Sequence, residues 1–135
     1  MAQERPPALP LELVNEFVRV AHGDFAKVKA LLEETPALLN ATWDWGAGDF
    51  ETALGAAAHT GSRDIAHHLI DKGARIDLFA AAMLGKLDVV KAILTAFPDA
   101  RNSRGAHGIP LVVHAQQGGE EAQAVLEYLQ SLAEA

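Results

Sequence analysis

The sequence predicts an all-α fold, a solenoid of about four stacked helix pairs, and three observations lead there. A glycine recurs between helical stretches: Gly23 opens GDFAKVKALL, Gly61 opens GSRDIAHHLI, Gly85 opens GKLDVVKAIL and Gly118–Gly119 opens GGEEAQAVLEYL. Each is preceded by a short apolar, alanine-rich stretch, so the unit repeats. Half of the 135 residues are apolar but only 6% are aromatic. Small side chains let helices approach closely, which suits stacked helix pairs better than a sheet core.

Each element follows from local pattern. Val14, Phe17, Val18 and Ala21 form the i, i+3, i+4, i+7 stripe of an amphipathic helix over 11–22. Asp24 is placed to cap the next helix, which buries Phe25, Val28, Leu31 and Leu32 and ends at Pro36. Residues 52–60 form a second inner helix and 62–72 its partner, with Ile65, Ala66, Leu69 and Ile70 inward. Gly73 stands where a left-handed helix end is expected. A third pair spans 77–84 and 86–96, closed by Pro98, and 99–108 is polar and turn-rich. Pro110 opens a fourth inner helix over 110–117, and 120–133 carries Ala122, Val125, Leu126 and Leu129 on one face. Residues 1–10 read as a short, disordered, proline-rich lead, and 11–135 as one domain with repeats near 11–40, 41–76, 77–98 and 99–135.

Composition excludes several classes of function. There is no cysteine, hence no disulfide framework and no sulfur-based zinc site. The net charge of −7, with no run of Lys or Arg, disfavours nucleic acid and anionic membranes as partners. No apolar stretch reaches the roughly 18 residues of a membrane span, and the N-terminus lacks the apolar core of a signal peptide. A cytoplasmic location is expected. There is no phosphate-binding glycine loop, nucleophile elbow or HExxH motif, so no cofactor is expected.

The segment TALGAAAHTGSRDIAHHLIDKGARID, 52–77, resembles the ankyrin repeat. Thr52 and Leu54 occupy two positions of the T-P-L-H-x-A motif, followed by Ala57–Ala58, Gly61, an Ile65…Leu69–Ile70 helix and Gly73–Ala74. Segments 11–40, 77–97 and 109–129 resemble it more weakly, so the likeness covers roughly 11–130. The whole is similar to compact bacterial ankyrin-repeat proteins with a WDWG-type loop followed by ETALGAA. The resemblance implies helix pairs with projecting fingers and a concave face that binds a protein partner. The motif's histidine is replaced by Gly55, Phe79 and Val112, so these turns must be held otherwise.

Finger lengths depart from the family period of about 33 residues. Gly23 to Gly61 spans 38, Gly61 to Gly85 only 24, and Gly85 to Gly118 spans 33. One finger is therefore missing between the second and third repeats, beside an enlarged first one. A long finger next to an absent one is expected to close a pocket. The enlarged loop, 41–51, holds both tryptophans of the chain, Trp43 and Trp45, with Phe50, Asp44, Asp49 and Glu51. Two readings stand: an aromatic, acidic lip over the concave face, or tryptophans folded back as cover for the neighbouring repeat.

Aligning repeats by their glycines places His59 and Met83 at one inner-helix position, which the ankyrin resemblance implies faces the concave side. His107 lies in the last finger and His114 four residues before Gly118. Convergence of His59, His107 and His114 with Asp49 and Trp45 would give material for acid–base chemistry or a metal site. No spacing matches a known ligand motif, so no metal ligand is assigned. His59 and His114 are the catalytic candidates if there is catalysis. His67 and His68 point about 100° apart and cannot chelate together. His22 reads as a helix-end residue that complements the dipole.

The leading expectation is a non-enzymatic module that binds a protein or peptide, with a basic partner favoured, through Trp43, Asp44, Trp45, Asp49, His59, Met83 and His107. The alternative is a small-molecule pocket or enzyme with His59, His107 and His114 under the 41–51 loop. End-to-end self-association through exposed tryptophan is a third possibility.

Overall fold

In a computed structural model of the chain, residues 4–134 are described; Met1–Gln3 of the expected lead, and Ala135, lie outside them. The chain is mostly helical, with one two-stranded hairpin among the described residues. Helix α1 spans Leu11–Val20, α2 Phe25–Glu34, α3 Ala53–Thr60, α4 Arg63–Asp71, α5 Leu78–Met83, α6 Leu87–Ala96, α7 Leu111–Gln117 and α8 Gln123–Ala133. Strands β1, Thr42–Asp44, and β2, Phe50–Thr52, pair antiparallel. No described helix is long and apolar enough to cross a membrane.

The helices pack as pairs: α1 with α2, α3 with α4, α5 with α6 and α7 with α8. The first members form an inner row in which α1 meets α3, α3 meets α5 and α5 meets α7. The inner helices are short and alanine-rich, and Ala53, Ala56–Ala58 and Ala80–Ala82 are all buried. Helix α3 consequently also touches α7. The row is strongly curved, and its hollow is where the fingers meet.

Side-chain caps set the inner helices. Thr52 Oγ1 accepts from the Gly55 amide and Asp77 from the Ala80 amide, each three residues on. These bonds fix the first turns of α3 and α5. Pro110 sits just before α7 and not within it, and a short 3₁₀ turn at Gly119–Ala122 precedes α8. The polar loop after α6 carries two further 3₁₀ turns, Pro98–Asn102 and Ala106–Gly108.

The turn glycines let successive repeats touch. Gly85 follows α5 at φ +75°, and a Cβ there would run into the Glu121 carbonyl. Gly61, at φ +68°, also packs tightly, on the Gln117 carbonyl. Arg63 binds the same end of the inner row, donating to the carbonyls of Met83 and Gly118 at 3.1 and 2.9 Å and pairing with Glu121 at 2.8 Å. One guanidinium thus satisfies terminal carbonyls beside two helix ends.

A short turn joins α4 to α5, and Asn40 Oδ1 accepts from the Arg75 amide. The loop before α3 and the loop before α7 reach each other through Asp49 and His107.

Candidate functional site

The 42–52 hairpin positions the site. Its register pairs Trp43 with Glu51 and Asp44 with Phe50. Side chains alternate along a strand, so Trp43, Trp45 and Glu51 fall on one side and Asp44 and Phe50 on the other. The inward side carries the acid and the outward side the phenylalanine: Glu51 is 2% exposed, Phe50 62%. Asp44 Oδ1 accepts from the Gly46 and Gly48 amides at 2.8 and 3.0 Å and ties the loop's tip.

Four groups surround the Glu51 carboxylate. The Trp45 indole N–H donates to Oε1 at 2.9 Å. His22 Nε2 lies 3.2 Å from Oε1, His59 Nε2 2.9 Å from Oε2 and His107 Nε2 3.4 Å from Oε2. The His59 contact is short but poorly aligned, and Glu51 Oε2 and His59 Nε2 are left buried without a hydrogen-bond partner. The imidazoles are themselves in contact, with the His59 ring centre 5.0 Å from that of His22 and 5.3 Å from that of His107.

His107 arrives from the far finger. Asp49 accepts from its backbone amide at 2.7 Å and from its Nδ1–H at 2.6 Å. This two-point clamp joins the first and last fingers across the gap, and it holds His107 at φ +60°. A recess of about 380 Å³ lies beside the clamp, lined by Asp49, Thr52, Asp77, Phe79, Arg104 and His114 among others.

Electrostatics follow the contacts. Burial pushes the Glu51 carboxyl up, but contact with His59, the charge of His22 and the Trp45 N–H together outweigh it and hold the group below its ordinary 4.5. Asp49 is also lowered, chiefly by the bond from the His107 amide. The centre therefore keeps its carboxylates ionised.

The structure sorts the expected residues. His59, His107, Asp49 and Trp45 converge. Trp43 packs against the core with its ring 6.5 Å from that of Trp45, which is 38% exposed at the mouth. The two tryptophans thus divide the two readings between them. Met83, expected on the concave face, is fully buried in the core. Asp44 holds the loop tip. His114 does not join the cluster: it is 1% exposed, donates through Nδ1 to the Pro110 carbonyl at 2.9 Å and stacks on Phe79 at 4.8 Å. His67 and His68 sit on α4, and His68 stacks on Phe25, away from the cluster.

Two members of the cluster are not among the residues expected from the sequence. His22 does end α1, donating through Nδ1 to the Val18 and Arg19 carbonyls at 3.0 Å, and the same bonds aim its Nε2 at Glu51. Among the loop acids, Glu51 is set apart only by alternating in step with Trp43 and Trp45.

Burial also lowers the affinity of His114 for a proton, reinforced by the charge of His59 and opposed by the Pro110 carbonyl and Asp77. The unfolded chain then takes up this proton first. Stability is complete above pH 6.5 and falls as the pH drops below it. His68, lowered mainly by desolvation and by Lys72 and Lys29, acts with the same sign. Urea unfolding from pH 8 to 5 should show this limb, and His114→Gln should make it shallower; an unchanged slope would remove His114 from the account.

Comparison with known families finds no family model that matches the chain, and no curated relative matches it.

Proposed function

We propose that the chain is a pocket protein. Its curved, ankyrin-type helix stack holds a small electron-poor ligand at an imidazole–carboxylate centre formed by Glu51, His22, His59 and His107. The observation that carries this reading is the burial of Glu51. A carboxylate removed from water needs full compensation. Here one oxygen has a single N–H donor and the other has none with correct geometry. Three imidazole nitrogens and one carboxylate oxygen lie within 4.8 Å of one another, and His22, His107 and Trp45 are partly exposed beside them. That donor set suits a positively charged or strongly Lewis-acidic group. It is too small and too enclosed to be the main contact of a broad protein interface.

A second reading keeps the protein or peptide partner. It is favoured by the exposed face of Trp45 at the mouth, where a basic side chain could enter toward Glu51, and by exposed Phe50 on the other side of the same hairpin.

Both tryptophans lie at or beside the site, so intrinsic fluorescence reports its occupancy. Titration of the wild type and Glu51→Gln with zinc chloride, small organic ammonium and guanidinium ions, and short basic peptides tests the readings. The pocket reading expects saturable signals from a small cation that disappear in Glu51→Gln. Responses to peptides alone, or responses equal in both proteins, would overturn it.

A further inference from the structure

We infer that the ligand of this centre is one divalent first-row transition-metal ion, bound by His22 Nε2, His59 Nε2, His107 Nε2 and Glu51; the inference rests on the pocket reading above. Proton positions come first. His22 Nδ1 faces two carbonyl oxygens, which can only accept, so Nδ1 carries the proton. His107 Nδ1 faces an ionised carboxylate, so it too carries the proton. A neutral imidazole with its proton on Nδ1 presents a bare lone pair at Nε2. In both residues Nε2 is directed at Glu51, 3.2 and 3.4 Å away, so the imidazolium turns a proton toward the carboxylate there and the neutral ring a lone pair. A metal ion takes the place of those protons, because a ligating histidine must be neutral.

The fixing bonds are those that metal-bound histidines use. A ligating imidazole gives its other N–H to a carboxylate or a backbone carbonyl, which sets tautomer and ring direction and raises basicity. Asp49 does this for His107, and the last turn of α1 does it for His22. Trp45 holds Glu51 Oε1, which leaves Oε2, the oxygen without a correctly placed donor, as the ligating atom.

Dimensions agree. The four donor atoms all lie within 4.8 Å of one another. With metal–ligand bonds of about 2.0–2.1 Å, a tetrahedron has edges of about 3.3–3.4 Å. Oε2 lies 2.9 Å from His59 Nε2 and 3.4 Å from His107 Nε2, and His22 Nε2 lies 3.2 Å from the other oxygen, Oε1. Three imidazoles with one carboxylate select zinc, cobalt, nickel or iron(II) over magnesium and calcium, which prefer all-oxygen sites. His22 and His107 keep 28% and 34% of their side chains exposed, while Glu51 keeps none, so the ion would be reached from the Trp45 side.

Isothermal titration of the full metal-stripped chain with Zn²⁺, and visible absorption with Co²⁺, test the inference. The expected result is one ion per chain and a cobalt d–d spectrum of a low-coordinate nitrogen–oxygen site. His107→Asn, on an exposed loop, and Glu51→Gln should each abolish both signals. Asp49→Asn should weaken binding by roughly 10–100-fold as a positioning residue. The double change His67→Ala, His68→Ala should leave the signals unchanged. Retained binding in His107→Asn and Glu51→Gln, or its loss in the double variant, would overturn the assignment. If metals fail to bind but an organic cation still gives a fluorescence response dependent on Glu51, the inference falls and the pocket reading survives. If neither binds, both fall.

Discussion

Gly85→Ala should unfold the protein about 10 °C lower than the wild type, a loss of roughly 3 kcal/mol. Two costs add. A left-handed alanine costs about 1–2 kcal/mol, and its Cβ must displace the Glu121 carbonyl, which is backbone and cannot swing aside. Overpacking of that kind costs about 1–3 kcal/mol. Gly23 supplies the control. It occupies the corresponding turn of the first repeat, has no positive φ, and an added Cβ there would meet nothing within 4 Å. Gly23→Ala should therefore be near neutral. Thermal unfolding of the two variants side by side checks whether contact between successive turns holds the stack. Equal melting temperatures would contradict that.

Glu51→Ala should lower stability by about 2 kcal/mol, roughly 6–8 °C in Tm. The change leaves the Trp45 N–H without its acceptor and opens a void among three imidazoles. Water reaches the partly exposed rings, which keeps the cost below that of a fully buried broken pair. The Trp45 indole loses its bond to Glu51, so its emission should shift to the red. Glu51→Gln retains an oxygen for Trp45 and nearly the same volume, so most of the stability should return while cation binding does not. This pair separates the architectural role of Glu51 from its role as a donor. Identical melting curves and identical emission for the two variants would show that the Trp45 bond does not order the lip.

The helices are legible in the sequence because their cause is local. Apolar residues at helical spacing, glycines at the turns and caps such as Asp24, Thr52 and Asp77 act within a few residues of themselves. The glycine spacings also mark the short connection between α4 and α5, and aligning the glycine-marked segments brings His59 and His107 toward Asp49 and Trp45. What escapes depends on direction. In the strand Phe50–Glu51–Thr52 the usual expectation is phenylalanine inside and glutamate outside, and the chain has them reversed. Alternation along the hairpin offers the signal, because Trp43, Trp45 and Glu51 share one parity. For His22 the sequence shows only a helix end; nothing in it reveals that the bonds ending α1 also aim the ring. Repeat position groups His114 with the cluster, but its side chain turns back to Pro110, four residues earlier. Met83 shares a repeat position with His59, yet the next inner helix covers it where α5 packs on α7.

Long-range ¹H–¹⁵N correlation of the histidine rings, recorded before and after addition of one equivalent of Zn²⁺, tests the account most directly. Each imidazole nitrogen reports whether it carries a proton, a lone pair or a metal. The account predicts the Nδ1–H tautomer at His22 and His107 in the metal-free chain. It predicts a large shift of Nε2 in His22, His59 and His107 when zinc is added, with His67, His68 and His114 unmoved. A neutral Nε2–H tautomer with a bare Nδ1 at His22 and His107 in the free protein, or zinc shifts confined to His67 and His68, would contradict it.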